Sequence, residues 1–458
     1  MANTNEITIT KTKKSKNPNN IKENNKSKNS IKNESNNIEK NNTKNIKKDN
    51  TNKKVEIKKL YDKEVSLKEV FEFYDELNKD KSHMVSKDDI CTPMECVRKM
   101  IDYIPQEFWE REKIKVLDPC AGNGNFGAYC MTKTSIDNIW FNEINEIRYK
   151  NCRKILKPKH MRKKDFFEMK RKEWDLIMAN PPYSGGGNKN KSLSNEFIEH
   201  AIDVLKDNGY LCFVTPNNWM TYNNNNTTLK KLLNQGSFLV IDNDVKKYFN
   251  GVGSSFTIFI WQKKVLDNRT LVVNNYLKKD IQKDVTIYRN LKFIPLYISQ
   301  NILDIIMKTI GDDENNRFFY RCDLHNYTQK EYLSDEQNEE FKYRTIHTMR
   351  KVRFASKKQD IYDKWNIIIP LSTYFIPEVM NDVNVTQSVG YISFDSKDEA
   401  DNYLNVIEEP WYKLIIHLTR YGNFNNIMVL KHLKFDENIN FTENEMNEIN
   451  SLINEIKY

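Results

Sequence analysis

The sequence predicts an α/β fold, a mostly parallel sheet flanked by helices, followed by a second, α+β part. Three observations predict it. From Lys115 to Lys264 short apolar runs alternate with helical patterns, as strand–helix–strand units do. Two of those runs stop in loops of unusual composition, "DPCAGNG" after Leu117 and "NPPYSGGG" after Ala179. Beyond about Val265 the alternation fades, and a differently patterned region begins.

The chain has 458 residues, room for two or three domains. Residues 1–56 are mostly Asn, Lys, Ser and Thr, too polar to bury the surface that ordering requires, so a disordered tail is expected. The tail holds 14 lysines against 6 acids, which accounts for nearly all of the net charge of +9. The remainder carries 58 basic residues against 57 acidic, so any nucleic-acid surface must come from local clustering. Seven scattered cysteines, without CxxC or zinc-type His spacing, point to reduced thiols, a cytoplasmic setting and no metal. No apolar run is long enough to span a bilayer, and no membrane partner is expected.

The elements follow in order. "SLKE" at Ser66 is a capping box ahead of an apolar face of Leu67, Val70, Tyr74 and Leu77. "TPME" reads as a second one, with Thr92 as cap, Pro93 opening the helix and Glu95 reaching back. Strands are placed at Lys115–Leu117, Ile139–Phe141, Asp175–Met178, Tyr210–Val214, Phe238–Ile241 and Phe256–Trp261. "FIEHAIDVLKDNG" is a helix with Phe197, Ile198, Ala201, Ile202 and Leu205 inward, ended by Asn208-Gly209. The expected division is a tail over 1–56, a catalytic domain over 57–264 and a recognition domain over 265–458.

The loop after the first strand joins Asp118 to Ala121, Gly122 and Gly124. Glycines there let a backbone approach a ligand closely, but the pattern is neither GxGxxG nor a Walker loop. Glu143 follows the next strand, 21 positions after Gly122, where an acid can accept two ribose hydroxyls. Asp165 precedes Phe166 in "KKDFFE", a carboxylate for a purine amino group and a ring to cover it. With no second phosphate loop, a nucleoside fits this crevice better than a dinucleotide.

"DPCAGNG" followed by "NPPY" resembles the paired signature of amino-group methyltransferases that use S-adenosyl-L-methionine. Asn180-Pro181-Pro182-Tyr183 is similar to the adenine-N6 branch, and the motif order resembles the gamma, TaqI-like restriction–modification methylases. "CTP" at Cys91–Pro93 resembles the motif that holds the methionine end of the cofactor, which adds Thr92 and Pro93 to the cofactor residues. The resemblance implies a Rossmann-like methyltransferase fold with a mostly parallel seven-stranded sheet. It implies that Asn180 and the Pro181 carbonyl accept the target N–H groups and that Asn180 also borders the cofactor. Tyr183 and Phe256 would then stack on a base flipped out of the duplex.

In the second half, Lys342–Lys358 is dense in cations, with Tyr343 and Phe354 interleaved and no acid. Arg344, Arg350, Lys351, Arg353 and Lys357 suit phosphate contacts or base-edge readout. "TQS" and "TRYGNF" resemble later parts of such methylases and add Gln387, Ser388, Arg420, Tyr421 and Asn423 as DNA contacts. The implied partner is double-stranded DNA, with a separate cognate restriction endonuclease and a monomeric enzyme. Methyltransferases acting on RNA bases or protein glutamine remain open at this stage, as does an inactive DNA-binding accessory protein.

Overall fold

The computed structural model describes residues 65–80, 90–183, 193–224, 227–249, 255–267, 269–435 and 438–456. The Asn/Lys-rich tail and the "SGGGNKNKS" stretch after Tyr183 lie outside them. Residues 59–458 form one compact unit.

Nine strands make the main sheet: β1 (Val116–Asp118), β2 (Ile139–Asn142), β3 (His160–Arg162), β4 (Trp174–Ala179), β5 (Leu205–Pro216), β6 (Ser237–Asp242), β7 (Phe256–Gln262), β8 (Thr270–Tyr276) and β9 (Lys278–Val285). Their order is β3-β2-β1-β4-β5-β7-β6-β8-β9. Strands β1 to β5 pair in parallel, and β7 runs antiparallel between β5 and β6. The first seven strands form the mostly parallel, Rossmann-like sheet that was expected, and β8 and β9 extend it. Strand order reverses between β1 and β4, so the crevice for a ligand opens beyond their C-terminal ends.

The expected strands all form. They were legible because β4 and β7 are buried on both faces and read as unbroken apolar runs. Strand β3 was missed: "HMR" is a short, half-exposed edge with no apolar pattern. The Ser66 capping box is present in both directions, with Glu69 N–H donating to Ser66 Oγ at 3.3 Å and Ser66 N–H to Glu69 at 2.8 Å.

Two local expectations are corrected. The second helix is Met94–Asp102 with Pro93 at its cap position, and no side chain caps it. Thr92 accepts instead from Asn180, and Glu95 pairs with Arg98. A tertiary partner has displaced the local one. The helix ending in "KDNG" spans Leu193–Val204, and Leu205 already belongs to β5. Leu205 pairs with Trp174 and Tyr210 with Leu176, so Lys206–Gly209 bulges from the ladder. Asn208, at φ 62°, turns that bulge rather than ending the helix.

Beyond β9, helices alternate with two small four-stranded sheets. One is ordered β10-β17-β14-β15: β10 (Phe319–Tyr320), β17 (Val389–Phe394), β14 (Trp365–Pro370), β15 (Glu378–Met380). The other is ordered β11-β13-β12-β16: β11 (Leu333–Ser334), β13 (Lys351–Ala355), β12 (Tyr343–Thr348), β16 (Asn384–Val385). One apolar core runs from Leu117 through Trp261 and Ile302 to Ile456, joining the main sheet to the C-terminal helices. Among the described residues, no helix is long and apolar enough to cross a membrane.

Candidate active site

The β1–β4 register pairs Leu117 with Ile177, and continuing it sets Asp118 beside Met178, with Asn180 two residues further on. The two unusual loops therefore leave the sheet side by side. In the first, Gly122 and Gly124 take φ of 55° and 97°, the left-handed region that side chains disfavour. A Cβ on Gly124 would lie 2.7 Å from Leu156, whereas one on Gly122 would meet nothing within 4 Å. Gly124 is thus fixed by packing, and Gly122 keeps an open surface above the loop. Ala121 is buried beneath it and donates its N–H to the Asn142 carbonyl at 2.9 Å.

Glu143 braces this loop. One carboxylate oxygen accepts the Gly122 N–H and the other the Asn145 N–H, both at 2.7 Å. Asn142 was not foreseen as important. Its amide nitrogen donates at 3.0 Å to the Pro119 and Lys164 carbonyls, clamping the loops that follow β1 and β3. A buried Asn inside a strand was the available signal, since strands disfavour it. Asp165 is exposed and caps a short turn through Phe167 N–H at 3.0 Å. Phe166 is only 2% exposed and packs against Phe197 and His200, so its ring lies largely within the core.

Asp118 is fully buried, and neither carboxylate oxygen has a well-formed hydrogen bond. Burial, then the neighbouring Glu143 charge, push its carboxyl well above the usual range, against a weaker pull from the Cys120 amide. The folded protein therefore holds this proton longer than the unfolded chain. The associated stability is whole below the ordinary carboxylate range and is lost as pH rises through the raised folded-state value. Asp118→Asn should flatten the fall in melting temperature as pH rises above the ordinary carboxylate range in cofactor-free protein. Identical pH profiles for mutant and wild type would show that Asp118 ionises normally.

Asn180 follows β4 directly. Its amide nitrogen donates to the Ile90 carbonyl at 3.1 Å and to Thr92 Oγ1 at 3.0 Å. Its amide oxygen accepts the Tyr183 hydroxyl, and its backbone carbonyl accepts the Cys120 thiol at 3.4 Å. NPPY is thus tied to both the CTP segment and the glycine loop. The Tyr183 ring lies 5.3 Å from that of Phe256 at 54°, and Phe256 in turn stacks on Phe249 at 4.8 Å. Pro181 is buried, while Pro182 is exposed and Pro93 half-buried.

The basic run forms the β12–β13 hairpin, with Arg350 at its turn. Its cations divide. Arg353 is 13% exposed and paired with Asp335 at 2.9 Å, with further bonds to Asn326 and the Leu333 carbonyl. Lys351 pairs with Asp335 at 3.3 Å, and Lys357 lies 3.2 Å over the Tyr332 ring. Arg344 and Arg350 are exposed, and neither side chain has an ion pair among the described residues. Gln387 accepts the Asn326 N–H at 2.9 Å, and Ser388 takes the Leu371 N–H on its carbonyl. Arg420 bonds the Thr373 and Asn423 carbonyls and Asn425, while the Tyr421 hydroxyl bonds the Ile294 carbonyl. These groups hold up the C-terminal region from within. Asn423, at φ 70°, sits exposed on the turn they support.

Residues 124–249 match the family model described as Eco57I restriction-modification methylase. In sequence, this stretch is similar to restriction–modification methylases. Two type II methyltransferases from Haemophilus influenzae, M.HincII and M.HindII, are each 26% identical over 254 residues, 49% of this chain. The match covers 47% and 45% of those proteins, so the chain spans about half the length of the curated relatives it matches. Among solved structures, a nuclease-deletion mutant of the Type ISP restriction-modification enzyme LlaGI, in complex with a DNA substrate mimic, overlays with TM-score 0.49. It is 12% identical, over 79% of this chain and 54% of its own.

S-adenosyl-L-methionine is the cofactor of this methylase type, and the crevice suits it. The buried Asp118 carboxyl, whose oxygens make no well-formed hydrogen bond, offers unused polar atoms to a ligand. The Glu143 carboxylate lies at the glycine loop, where an acceptor suits hydroxyls, Gly122 leaves open surface, and Asp165 offers an exposed acceptor.

Proposed function

We propose that the chain is a site-specific DNA methyltransferase that methylates the N6 amine of adenine, with the target base flipped out of the duplex. The observation that carries this reading is the Asn180 amide, fixed beside the glycine loop with Tyr183 and Phe256 at its side. The similarity to type II methyltransferases supports DNA as the substrate.

An exocyclic adenine amine is a poor nucleophile because its lone pair is delocalised into the ring. The groups bonded to Asn180 are Ile90, Thr92, Cys120 and Tyr183, without a carboxylate or imidazole to act as base. Asn180 Oδ1 and the Pro181 carbonyl would each accept one N–H of the target, drawing the nitrogen toward sp³ and aiming its lone pair. The cofactor supplies an electrophilic methyl group on a sulfonium. Asp118, Gly122, Glu143 and Asp165 would hold it, with Pro93 at the methionine end and the Thr92 hydroxyl engaged by Asn180, so rate comes from positioning and fixed dipoles.

A base sandwiched between Tyr183 and Phe256 needs two contact distances, about 7 Å. The rings stand 5.3 Å apart, so Tyr183 must turn aside to admit it. Residues 57–264 would supply the chemistry and 265–458 the target choice, with the β12–β13 hairpin reaching DNA through its open arginines. Replacing Arg344 and Arg350 together by Ala should raise KM for DNA and shallow its salt dependence by about one unit per lost phosphate contact. Arg353→Ala should instead lower the melting temperature, because it removes one of the two cations on Asp335 and the bonds to Asn326 and the Leu333 carbonyl. Salt-series kinetics and thermal melts on both variants check this, and equal effects on both properties would refute the division.

Labelled methyl transfer to duplex DNA, RNA and protein in parallel, followed by nucleoside analysis, tests the whole reading. N6-methyladenine in DNA is expected. Label in cytosine, RNA or protein, or no transfer at all, would overturn it.

A further inference from the structure

We propose that Thr92 is a positioning residue for methyl transfer: the Ile90 carbonyl sets which end of the Asn180 amide faces the target amine, and Thr92 Oγ1 holds the amide there by taking its second N–H. This rests on the reading of Asn180 as the acceptor of that amine.

A side-chain amide is nearly symmetric in shape, and only its hydrogen-bond partners set its orientation. The Asn180 nitrogen has two hydrogens, and both are engaged, by the Ile90 carbonyl at 3.1 Å and Thr92 Oγ1 at 3.0 Å. Turning the amide over would set its oxygen against the Ile90 carbonyl, two acceptors with no proton between them. It would also set the two amide hydrogens against the Tyr183 hydroxyl, which can accept only by giving up its present bond to Oδ1. The observed orientation leaves Oδ1 on the far side, where it takes the Tyr183 hydroxyl. That donor marks the direction from which a target N–H would approach, and it leaves when Tyr183 turns to admit the base.

Thr92 is well placed for this work. It is 5% exposed, and its own carbonyl accepts the Asn125 amide at 2.8 Å, so the segment is pinned to the helix that follows the glycine loop. Its hydroxyl is not spent on capping the helix Met94–Asp102, whose cap position is Pro93. Cofactor loop, Thr92 and Asn180 form one continuous linkage, so a shift in the loop reaches the amide directly. Thr92 acts only through Asn180 and touches no reacting atom.

The test compares Thr92→Val, nearly isosteric but without an acceptor, with Thr92→Ser, which keeps the hydroxyl, and with Asn180→Ala. Single-turnover methyl transfer to duplex DNA, KM for DNA and calorimetric affinity for S-adenosyl-L-methionine are measured on the full chain. Thr92→Val should lower the single-turnover rate about tenfold, with cofactor affinity and KM for DNA within about twofold of wild type. Thr92→Ser should restore the rate to within about threefold of wild type. If Thr92→Val does not fold, Thr92→Cys, with a weaker acceptor of similar size, carries the comparison. A wild-type rate in Thr92→Val while Asn180→Ala is inactive overturns the inference and leaves the proposed function standing. A loss confined to cofactor affinity overturns it too, making Thr92 a cofactor ligand. Activity in Asn180→Ala overturns the reading beneath it.

Discussion

Asn180→Ala is expected to lower methyl transfer by about 10²-fold or more while leaving cofactor affinity within a few-fold of wild type. The substitution removes the acceptor aimed at the target amine. It also releases the Ile90 carbonyl, Thr92 and the Tyr183 hydroxyl, all of which now bond to that one amide. The loss should appear in the chemical step, so single-turnover rates at saturating DNA are the proper measurement. A comparable loss in cofactor affinity would mean that Asn180 chiefly holds the crevice closed, and near-normal turnover would remove it from the mechanism.

Glu143→Ala should have the second largest effect, weakening S-adenosyl-L-methionine binding by about 10²-fold. The proposed charge-assisted hydrogen bonds to the ribose hydroxyls, each worth about 1.5–3 kcal/mol, would be lost together with the bonds that Glu143 accepts from Gly122 N–H and Asn145 N–H. Part of that loss falls on the glycine loop itself, so the melting temperature should fall as well. Glu143→Gln keeps one acceptor oxygen and should lie between the two. Calorimetry without DNA measures this directly. Unchanged affinity in Glu143→Ala would place the nucleoside elsewhere.

Much of this architecture could be read from the residues because the physics is local or repetitive. Strands β1, β2 and β4 to β7 announce themselves by apolar runs, and the glycine loop by residues that tolerate a left-handed backbone. What escaped is what depends on distant partners. Thr92 carries every local mark of a cap, yet its hydroxyl is taken by a residue 88 positions away. Arg353 and Arg420 look like phosphate ligands in a list of cations. One is committed to Asp335 and Asn326, the other to a turn of its own region and to the Thr373 carbonyl. A sequence shows where charge is carried but not whether it has already been neutralised. Asn142 was passed over for a related reason: its value lies in bridging two loops that meet only once the parallel strands have assembled.

The continuation of the sheet into β8 and β9 bears on how such proteins can diversify. Exchange of target preference between related chains is simplest when the reading part can be cut off and replaced whole. Here a cut at residue 264 would strip two strands from the edge of β6 and leave its ladder open to pairing with other chains. It would also divide a core shared by Leu117 and Ile456. Wholesale transplantation should therefore yield insoluble hybrids. Under the proposed reading, new preferences would come more readily from substitution on the β12–β13 hairpin, where the backbone is fixed by pairing.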